Sequence, residues 1–356
     1  MNHYQKVLLS IILSPISLIY GILVSFRLSL YRFGILKSIK FSLPVISIGN
    51  LSVGGTGKTP HIEYLLDLLS PYIVVGTLSR GYKRKTTGFK IVETNNSAEE
   101  VGDEPLQFKK NFPENLVAVA ENRVLAIPHM IMQKPDLQCV LLDDAFQHLA
   151  IKPALNILLT DYNDLYLNDF LLPSGRLREW RNGYKRADYI IITKCDSNIG
   201  EQEMIQIIRK INPLPNQKIF FSTLKYQDPY HLLSNEKQSL SKQQHILVVS
   251  GIANNRTLIN YIRSLTNNFT EFDYPDHYQF EEKDIDAILM NFEKMNQPNS
   301  VILTTQKDAT RLLPFASRFE QAKIPIYVLP IKVSFSIHQE NNFDESIKKF
   351  LLEYKI

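Results

Sequence analysis

Cysteine and net charge are what this chain has least of. Only Cys139 and Cys195 are present, one inside an apolar run and one in a charged tetrad, with neither a CxxC pair nor metal-ligand spacing. That argues against structural zinc and for a reducing cytoplasm. The excess of base over acid is small, 40 Lys and Arg against 36 Asp and Glu, so the formal charge of +4 does not suggest a nucleic-acid protein. Internal repeats and low-complexity segments are missing too. With 44% hydrophobic and 21% charged residues, the composition excludes disorder and a multi-span membrane protein. At 356 residues the chain exceeds the usual size of a single core, which predicts one large α/β domain and a smaller one.

Charge is absent altogether from Val7 to Phe26, twenty residues long enough to cross a bilayer or to lie in its surface. Within that run Ser10, Ser14, Ser17, Gly21 and Ser25 recur at spacings of three and four, which puts small residues on one helical face and large apolar ones on the other. Such a stripe fits a helix half-sunk in the interface, with a kink expected at Pro15. Lys6 precedes the run and Arg27, Arg32, Lys37 and Lys40 follow it, so the positive-inside tendency keeps the remainder of the chain in the cytoplasm. A secretory signal peptide is the competing reading, but Val24, Ser25, Phe26 and Arg27 make a poor cleavage site. Retention as an anchor over 1–34 is therefore expected.

Pro44 to Gly49 reads PVISIG, a short run typical of a buried strand, and it leads into NLSVGGTGKTP. Ile62, Leu65, Leu66 and Leu69 then repeat at helical spacing. Strand, glycine-rich loop and helix form the setting in which backbone N–H groups cradle phosphates. Ser52, Val53, Gly54, Gly55, Thr56, Gly57, Lys58 and Thr59 are the expected nucleotide loop, with Lys58 reaching the outer phosphates and the Thr59 hydroxyl ligating magnesium. Ser52 stands where the generic GxxxxGK[ST] pattern has glycine, and Pro60 suits a first helical turn. About 85 residues on, the apolar run from Cys139 to Leu142 ends in Asp143 and Asp144, either of which suits the carboxylate that holds a nucleotide's magnesium. Gln147 and His148 follow, as cleft residues or as ordinary turn residues.

Taken together with SRGY at 79–82, VGDEP at 101–105, ENR at 121–123, LLDDAFQH at 141–148, LLPSGRLRE at 171–179, TKCD at 193–196, DHYQF at 276–280 and TTQKDATRL at 304–312, these strings resemble the tetraacyldisaccharide 4'-kinase family of lipid A biosynthesis. The likeness runs from the N-terminal helix to about residue 333. It implies ATP and Mg2+ as cofactors and phosphorylation of the 4'-hydroxyl of a lipid A disaccharide 1-phosphate at the cytoplasmic face of a bacterial inner membrane. Membrane lipids are then the surroundings, with no nucleic acid and no obligate protein partner. It also implies Asp103 as the acceptor of the hydroxyl proton, assisted by His277, with Lys58 the third catalytic residue. Without the resemblance, Asp103 ahead of Glu104 and Pro105 reads as a helix N-cap. Arg80, Tyr82, Glu104, Arg123, Gln147 and Arg178 are the candidates for holding phosphate or sugar, since guanidinium groups suit phosphate recognition. Arg176 to Arg186, basic around Trp180, suits either a lipid headgroup region or a solvated loop. In DHYQF, Tyr278 replaces a histidine common in the family. TKCD also resembles the guanine-reading [NT]KxD tetrad, so a membrane-associated P-loop GTPase switch is the rival, and a nucleotide-gated adaptor a third possibility.

Apolar runs at 72–77, 116–120, 138–143, 155–160 and 188–193 alternate with helical stretches, which predicts a mostly parallel sheet covered on both faces. The expected fold is α/β: a P-loop NTPase-like core over 35–227, a smaller second α/β lobe over 228–325 joined by a two-strand hinge (218–227 and 325–333), and a return strand and C-terminal helix packing on the core over 326–356. The N-terminal membrane helix precedes these.

Overall fold

The computed structural model describes residues 3–252, 255–295, 297, 299–335 and 337–355. Nine strands form the larger sheet, in the spatial order Ile331–Phe335, Lys218–Tyr226, Tyr189–Thr193, Leu155–Asp161, Val45–Asn50, Cys139–Asp143, Val75–Ser79, Leu116–Val119 and Lys90–Ile91. All neighbours are parallel except at the two edges. Strands covered by helices on both faces must be apolar throughout, and VISIGN, CVLLD and YIIIT bury every residue. Ile46 and Ile48 share one core with Ile62, Leu65, Leu66 and Leu69 of helix Lys58–Leu69. Val45 joins the opposite core with Ala126, Ile127 and Met130 of helix Arg123–Gln133. Each such fully buried aliphatic side chain stabilises the fold by about 1.5–3 kcal/mol. From Val45–Asn50 the chain builds the sheet to one side as far as Cys139–Asp143, and to the other side from Leu155–Asp161 onward. A crevice therefore opens at the C-terminal end of Val45–Asn50, where ligands of open α/β sheets bind.

The smaller sheet has five strands, Phe269–Asp273, Ile246–Ser250, Val301–Thr305, Ile326–Leu329 and Tyr230–His231, all parallel except the last. Helices Arg256–Leu265 and Glu282–Met295 pack on it through Leu258, Ile259 and Ile262 and through Ile285 and Ile288. Lys218–Tyr226 leads out of the larger sheet, and Ile331–Phe335 returns antiparallel beside it. By sequence, 325–333 is one connecting strand, whereas in the structure Ile326–Leu329 belongs to the smaller sheet and only Ile331–Phe335 to the connection. Pro330 separates them, having no N–H to continue a ladder. Its carbonyl instead accepts from Gln227 N at 2.9 Å. Beyond it, Phe343 and Ile347 of helix Ile337–Glu353 bury into the larger core, where Phe343 stacks on Phe335 at 4.2 Å.

Helix His3–Arg32 carries Pro15 inside it and docks through its small-residue face. Ser17 Oγ donates to Ser174 Oγ at 2.7 Å, Tyr20 Oη donates to the Arg178 carbonyl at 2.8 Å, and Trp180 Nε1 donates to Ser25 Oγ at 2.9 Å. Gly21 lies so close to Trp180 that a Cβ there would sit 2.4 Å from the indole. Ser10 lies outside the residues whose side chains are described. On the other face Ile16, Ile19, Ile22, Leu23 and Phe26 are all more than half exposed. Residues Ile12–Arg32 are long and apolar enough to cross a membrane.

Candidate active site

Val45–Asn50 delivers the chain into residues 51–57, and helix Lys58–Leu69 leaves with Gly57 as its cap. Gly54 has φ 114° and Gly57 φ 84°, values that a side chain would strain. A Cβ on Gly54 or Gly55 would meet no protein atom within 4 Å, so the loop borders open space. Its shape is held from behind. Asn50 Nδ2 donates to Thr56 Oγ1 at 2.9 Å, and Thr193 Oγ1 donates to the Thr56 carbonyl at 2.9 Å. Val53 N donates to the Arg176 carbonyl at 2.7 Å, while Ser52 is buried beside Leu177. Lys194 Nζ donates to the Gly55 carbonyl and pairs with Asp161 at 2.7 Å. The first two residues of TKCD thus support the phosphate loop. In the helix, buried His61 donates from Nδ1 to the Gly57 carbonyl at 2.7 Å and accepts at Nε2 from the Ser222 hydroxyl at 2.9 Å. Burial drives its pKa down to about 4, so the ring is neutral at pH 7.

Asp143 ends its strand beside Ile48 and is buried, with Oδ1 lacking any partner. Burial, and then the negative charges of Glu104 and Asp144, raise its pKa against the opposing pull of Lys58 and Arg123. Asp144 takes the left-handed conformation, φ 46°, which turns its carboxylate toward Arg178 Nη1 at 2.8 and 2.9 Å and toward Lys58 Nζ at 3.8 Å. Burial works to raise the Asp144 pKa, but Lys58 and Arg178 outweigh it and hold it below the ordinary range. The two acids are therefore unlike: Asp144 is gripped by cations, whereas Asp143 presents an orphaned oxygen beside the loop. That unpartnered carboxylate oxygen has the chemistry a divalent cation takes, and the Thr59 hydroxyl, one residue past Lys58, is the second oxygen donor expected by sequence. Among the described residues no group of three or more His, Cys, Asp or Glu could hold a metal unaided. A magnesium ion there would complete its shell with phosphate oxygens and water, as this ion prefers.

Around this pair, buried Arg123 donates to the Asp144 carbonyl at 3.1 Å. Gln147 Nε2 donates to the Asn50 carbonyl at 2.8 Å and to Glu179 at 2.9 Å, and its Oε1 accepts from Arg178 at 3.4 Å. Arg80 and Tyr82 of the SRGY turn are exposed. Of the expected sugar and phosphate binders, Arg123, Gln147 and Arg178 thus brace the acidic pair, while Arg80 and Tyr82 are open to a ligand.

Facing them is a contact between the two sheets' elements. Asp103 opens helix Asp103–Asn111, whose cap is Gly102, so its side chain does not cap the helix. Asp103 Oδ2 instead accepts from His277 Nδ1 at 3.0 Å, with Arg311 Nε at 3.4 Å. Burial works to raise the Asp103 pKa, but the His277 hydrogen bond together with Arg311 and Lys307 holds it below the ordinary carboxylate range. The left-handed backbone of His277, φ 58°, aims the ring back across the crevice, and Tyr82 packs edge-on to it at 5.0 Å. Glu104, the next residue, pairs with Lys307 at 3.3 Å, and its charge helps to raise the Asp143 pKa. Tyr278 points away and donates to Asp284 at 3.2 Å.

The basic stretch Arg176–Arg186 is largely committed internally: Arg176 pairs with Asp164 and Asp169, Arg178 with Asp144, and Arg186 with Glu179. Both thiols are buried and pushed up to about 12 by that burial, so neither is a nucleophile. His61, Lys194, Lys307 and Arg311 enter the site without having been assigned a part by sequence. TKCD and TTQKDATRL were visible as motifs, but only the fold shows what their side chains reach.

The family model for tetraacyldisaccharide-1-P 4'-kinase matches residues 9–352. The tetraacyldisaccharide 4'-kinase of Flavobacterium johnsoniae is 43% identical over 349 residues, 97% of this chain and 98% of the relative. That of Bacteroides thetaiotaomicron is 40% identical over 353 residues, 96% of this chain and 93% of the relative. The crystal structure of LpxK from Aquifex aeolicus in complex with ATP superposes with a TM-score of 0.73 at 30% identity, covering 96% of this chain and 99% of that one. The chain belongs to the tetraacyldisaccharide-1-P 4'-kinase family.

Proposed function

We propose that this protein transfers the γ-phosphoryl group of ATP to the 4'-hydroxyl of a tetraacyldisaccharide 1-phosphate, a step of lipid A biosynthesis. One observation supports the mechanism: His277 of the smaller unit meets the core carboxylate Asp103 at 3.0 Å, while Asp143, at the end of the strand beside the one that feeds the phosphate loop, keeps an unpartnered oxygen. Residues 52–59 cradle the triphosphate through backbone N–H groups, with Lys58 moving from Asp144 to the outer phosphates. Thr59 and Asp143 would hold magnesium, while Asp144 stays paired with Arg178. When bound, that ion neutralises charge on the β- and γ-phosphates. Asp103 accepts the proton of the sugar hydroxyl as its oxygen bonds to the γ-phosphorus and the bridging P–O bond to ADP breaks. Arg80 and Tyr82 line the acceptor side, with Arg123 and Arg178 supplying positive charge behind it.

The small lobe, taken as residues 228–329, brings His277 to the core, so closure over both substrates completes the base and excludes water. Helix His3–Arg32 attaches the protein to the cytoplasmic face of the inner membrane, its exposed Ile16, Ile19, Leu23 and Phe26 entering the lipid and its seryl face staying on the core. The switch and adaptor readings lose their support, because the family is one of kinases.

The test is ADP release by the full-length protein in detergent–lipid micelles, with and without tetraacyldisaccharide 1-phosphate. Release that depends on the acceptor supports the kinase. Release that is equal without it, or a clear preference for GTP as donor, defeats it.

A further inference from the structure

Helix Gln306–Leu312 carries Lys307 and Arg311 four residues apart, hence on one face, and that face meets the acidic start of helix Asp103–Asn111. Lys307 Nζ lies 3.0 Å from His277 Nε2, 3.3 Å from Glu104 Oε1 and 4.0 Å from Asp276 Oδ1. An ammonium group carries hydrogens and no lone pair, so a contact of this length makes Nε2 the acceptor. The single ring proton is then on Nδ1, where it is donated to Asp103. His277 thereby has both nitrogens engaged, one toward the core's carboxylate and one toward a lysine that is itself paired with the core's next carboxylate.

On the footing that Asp103 and His277 form the base, we propose that Lys307 is a positioning residue of the transfer reaction, fixing the Nδ1–H tautomer of His277 and latching the small lobe to the core through Glu104. With Nε2 occupied, the Asp103 carboxylate is the group left to meet the acceptor hydroxyl, and His277 orients that carboxylate rather than taking the proton itself. The charged groups facing the pair are Lys307 and Arg311 from one helix, Glu104 from another and Asp276 beside the ring, with the Tyr82 ring at its edge. The Lys307 charge helps to hold the Asp103 pKa down and so keeps that carboxylate ionised to lower pH.

The experiment compares Lys307→Met and Lys307→Arg in the full-length protein. Lys307→Met lowers kcat at least about tenfold, the loss expected for a misaligned base. The KM for ATP stays within about twofold, because nucleotide contacts are untouched. Loss of the neighbouring cation moves the acid limb of kcat/KM upward, whereas Lys307→Arg keeps the limb in place. Nitrogen-15 spectra of the histidine rings, with His277 identified through His277→Asn, show the proton on Nδ1 in the unsubstituted protein and mixed tautomers in Lys307→Met. A His277 proton on Nε2 in the unsubstituted protein, or an unmoved acid limb in Lys307→Met, overturns the proposal. If Lys307→Met does not fold, the spectrum of the unsubstituted protein and the Lys307→Arg profile decide. Absence of any phosphoryl transfer would instead strike the kinase assignment and leave the tautomer as found.

Discussion

His277 Nδ1 lies 3.0 Å from Asp103 Oδ2, although 174 positions separate the two residues in the chain. One stands at the start of a helix on the larger sheet and the other in a loop of the smaller unit, so the contact exists only while the two are together. Asp103→Ala and His277→Ala are each expected to lower kcat by about 10²–10⁴-fold, the usual range for a lost general base. Nucleotide titration should give nearly unchanged ATP affinity. Weakened ATP binding in step with activity would mean that the pair serves the nucleotide instead.

Asp143 and Asp144 should separate under substitution. Asp143→Asn removes the negative charge and one of the two carboxylate oxygens beside the loop and should raise the magnesium concentration needed for half-maximal turnover by roughly tenfold or more, within the range seen when metal ligands or their supports are lost. Asp144→Asn releases Arg178 and Lys58 and should act chiefly on kcat. Chelation should abolish turnover of the unsubstituted protein, and added magnesium should restore it. An equal magnesium requirement in Asp143→Asn would remove that residue from the metal site.

What sequence reveals here is whatever local pattern dictates. PVISIG before a glycine-rich loop, and CVLL before two aspartates, specify strand, loop and carboxylate because backbone geometry and buried apolar runs leave few alternatives. The tertiary partners carry no such mark. Nothing in Lys307 or Arg311 announces that a seven-residue helix will turn them toward Asp103 and His277. His61 likewise reads as one polar residue in an amphipathic helix, and only the packing of Ser222 against it shows a buried link between the phosphate loop and the outgoing strand. The strand boundary at Pro330 was misplaced for a related reason: pairing partners from the smaller sheet, not local composition, decide where Ile326–Leu329 belongs.

His61 and Glu63 give stability an opposed pH dependence. His61 has its pKa lowered from 6.5 to about 4 by burial, so its contribution is full above pH 6.5 and is lost as pH falls through 4. Glu63, raised from 4.5 to about 7 by burial, contributes fully below pH 4.5 and loses that as pH rises through 7. Each effect is on the order of 3 kcal/mol, and the two largely cancel in the intact protein. Relative to it, His61→Gln should gain melting temperature as pH is lowered from 6.5 to 4, and Glu63→Gln should lose it as pH is lowered from 7 to 4.5. Parallel slopes for the two variants would contradict the assignment.

Gly21→Leu should undock the N-terminal helix without removing its apolar face, because a Cβ at this position already meets the Trp180 indole at 2.4 Å. Flotation with vesicles should be retained while turnover on the lipid acceptor falls several-fold. Deleting residues 1–30 should weaken both. Full activity in Gly21→Leu would show that the docked orientation of the helix is irrelevant to acceptor delivery.

The most direct measurement incubates the protein with γ-labelled ATP, magnesium and tetraacyldisaccharide 1-phosphate, then locates the label on the product by mass spectrometry and phosphorus NMR. The account predicts one new phosphomonoester, on the 4' oxygen, formed one for one with ADP and absent with Asp103→Ala. Label recovered only as free phosphate, or on the existing 1-phosphate, would contradict it.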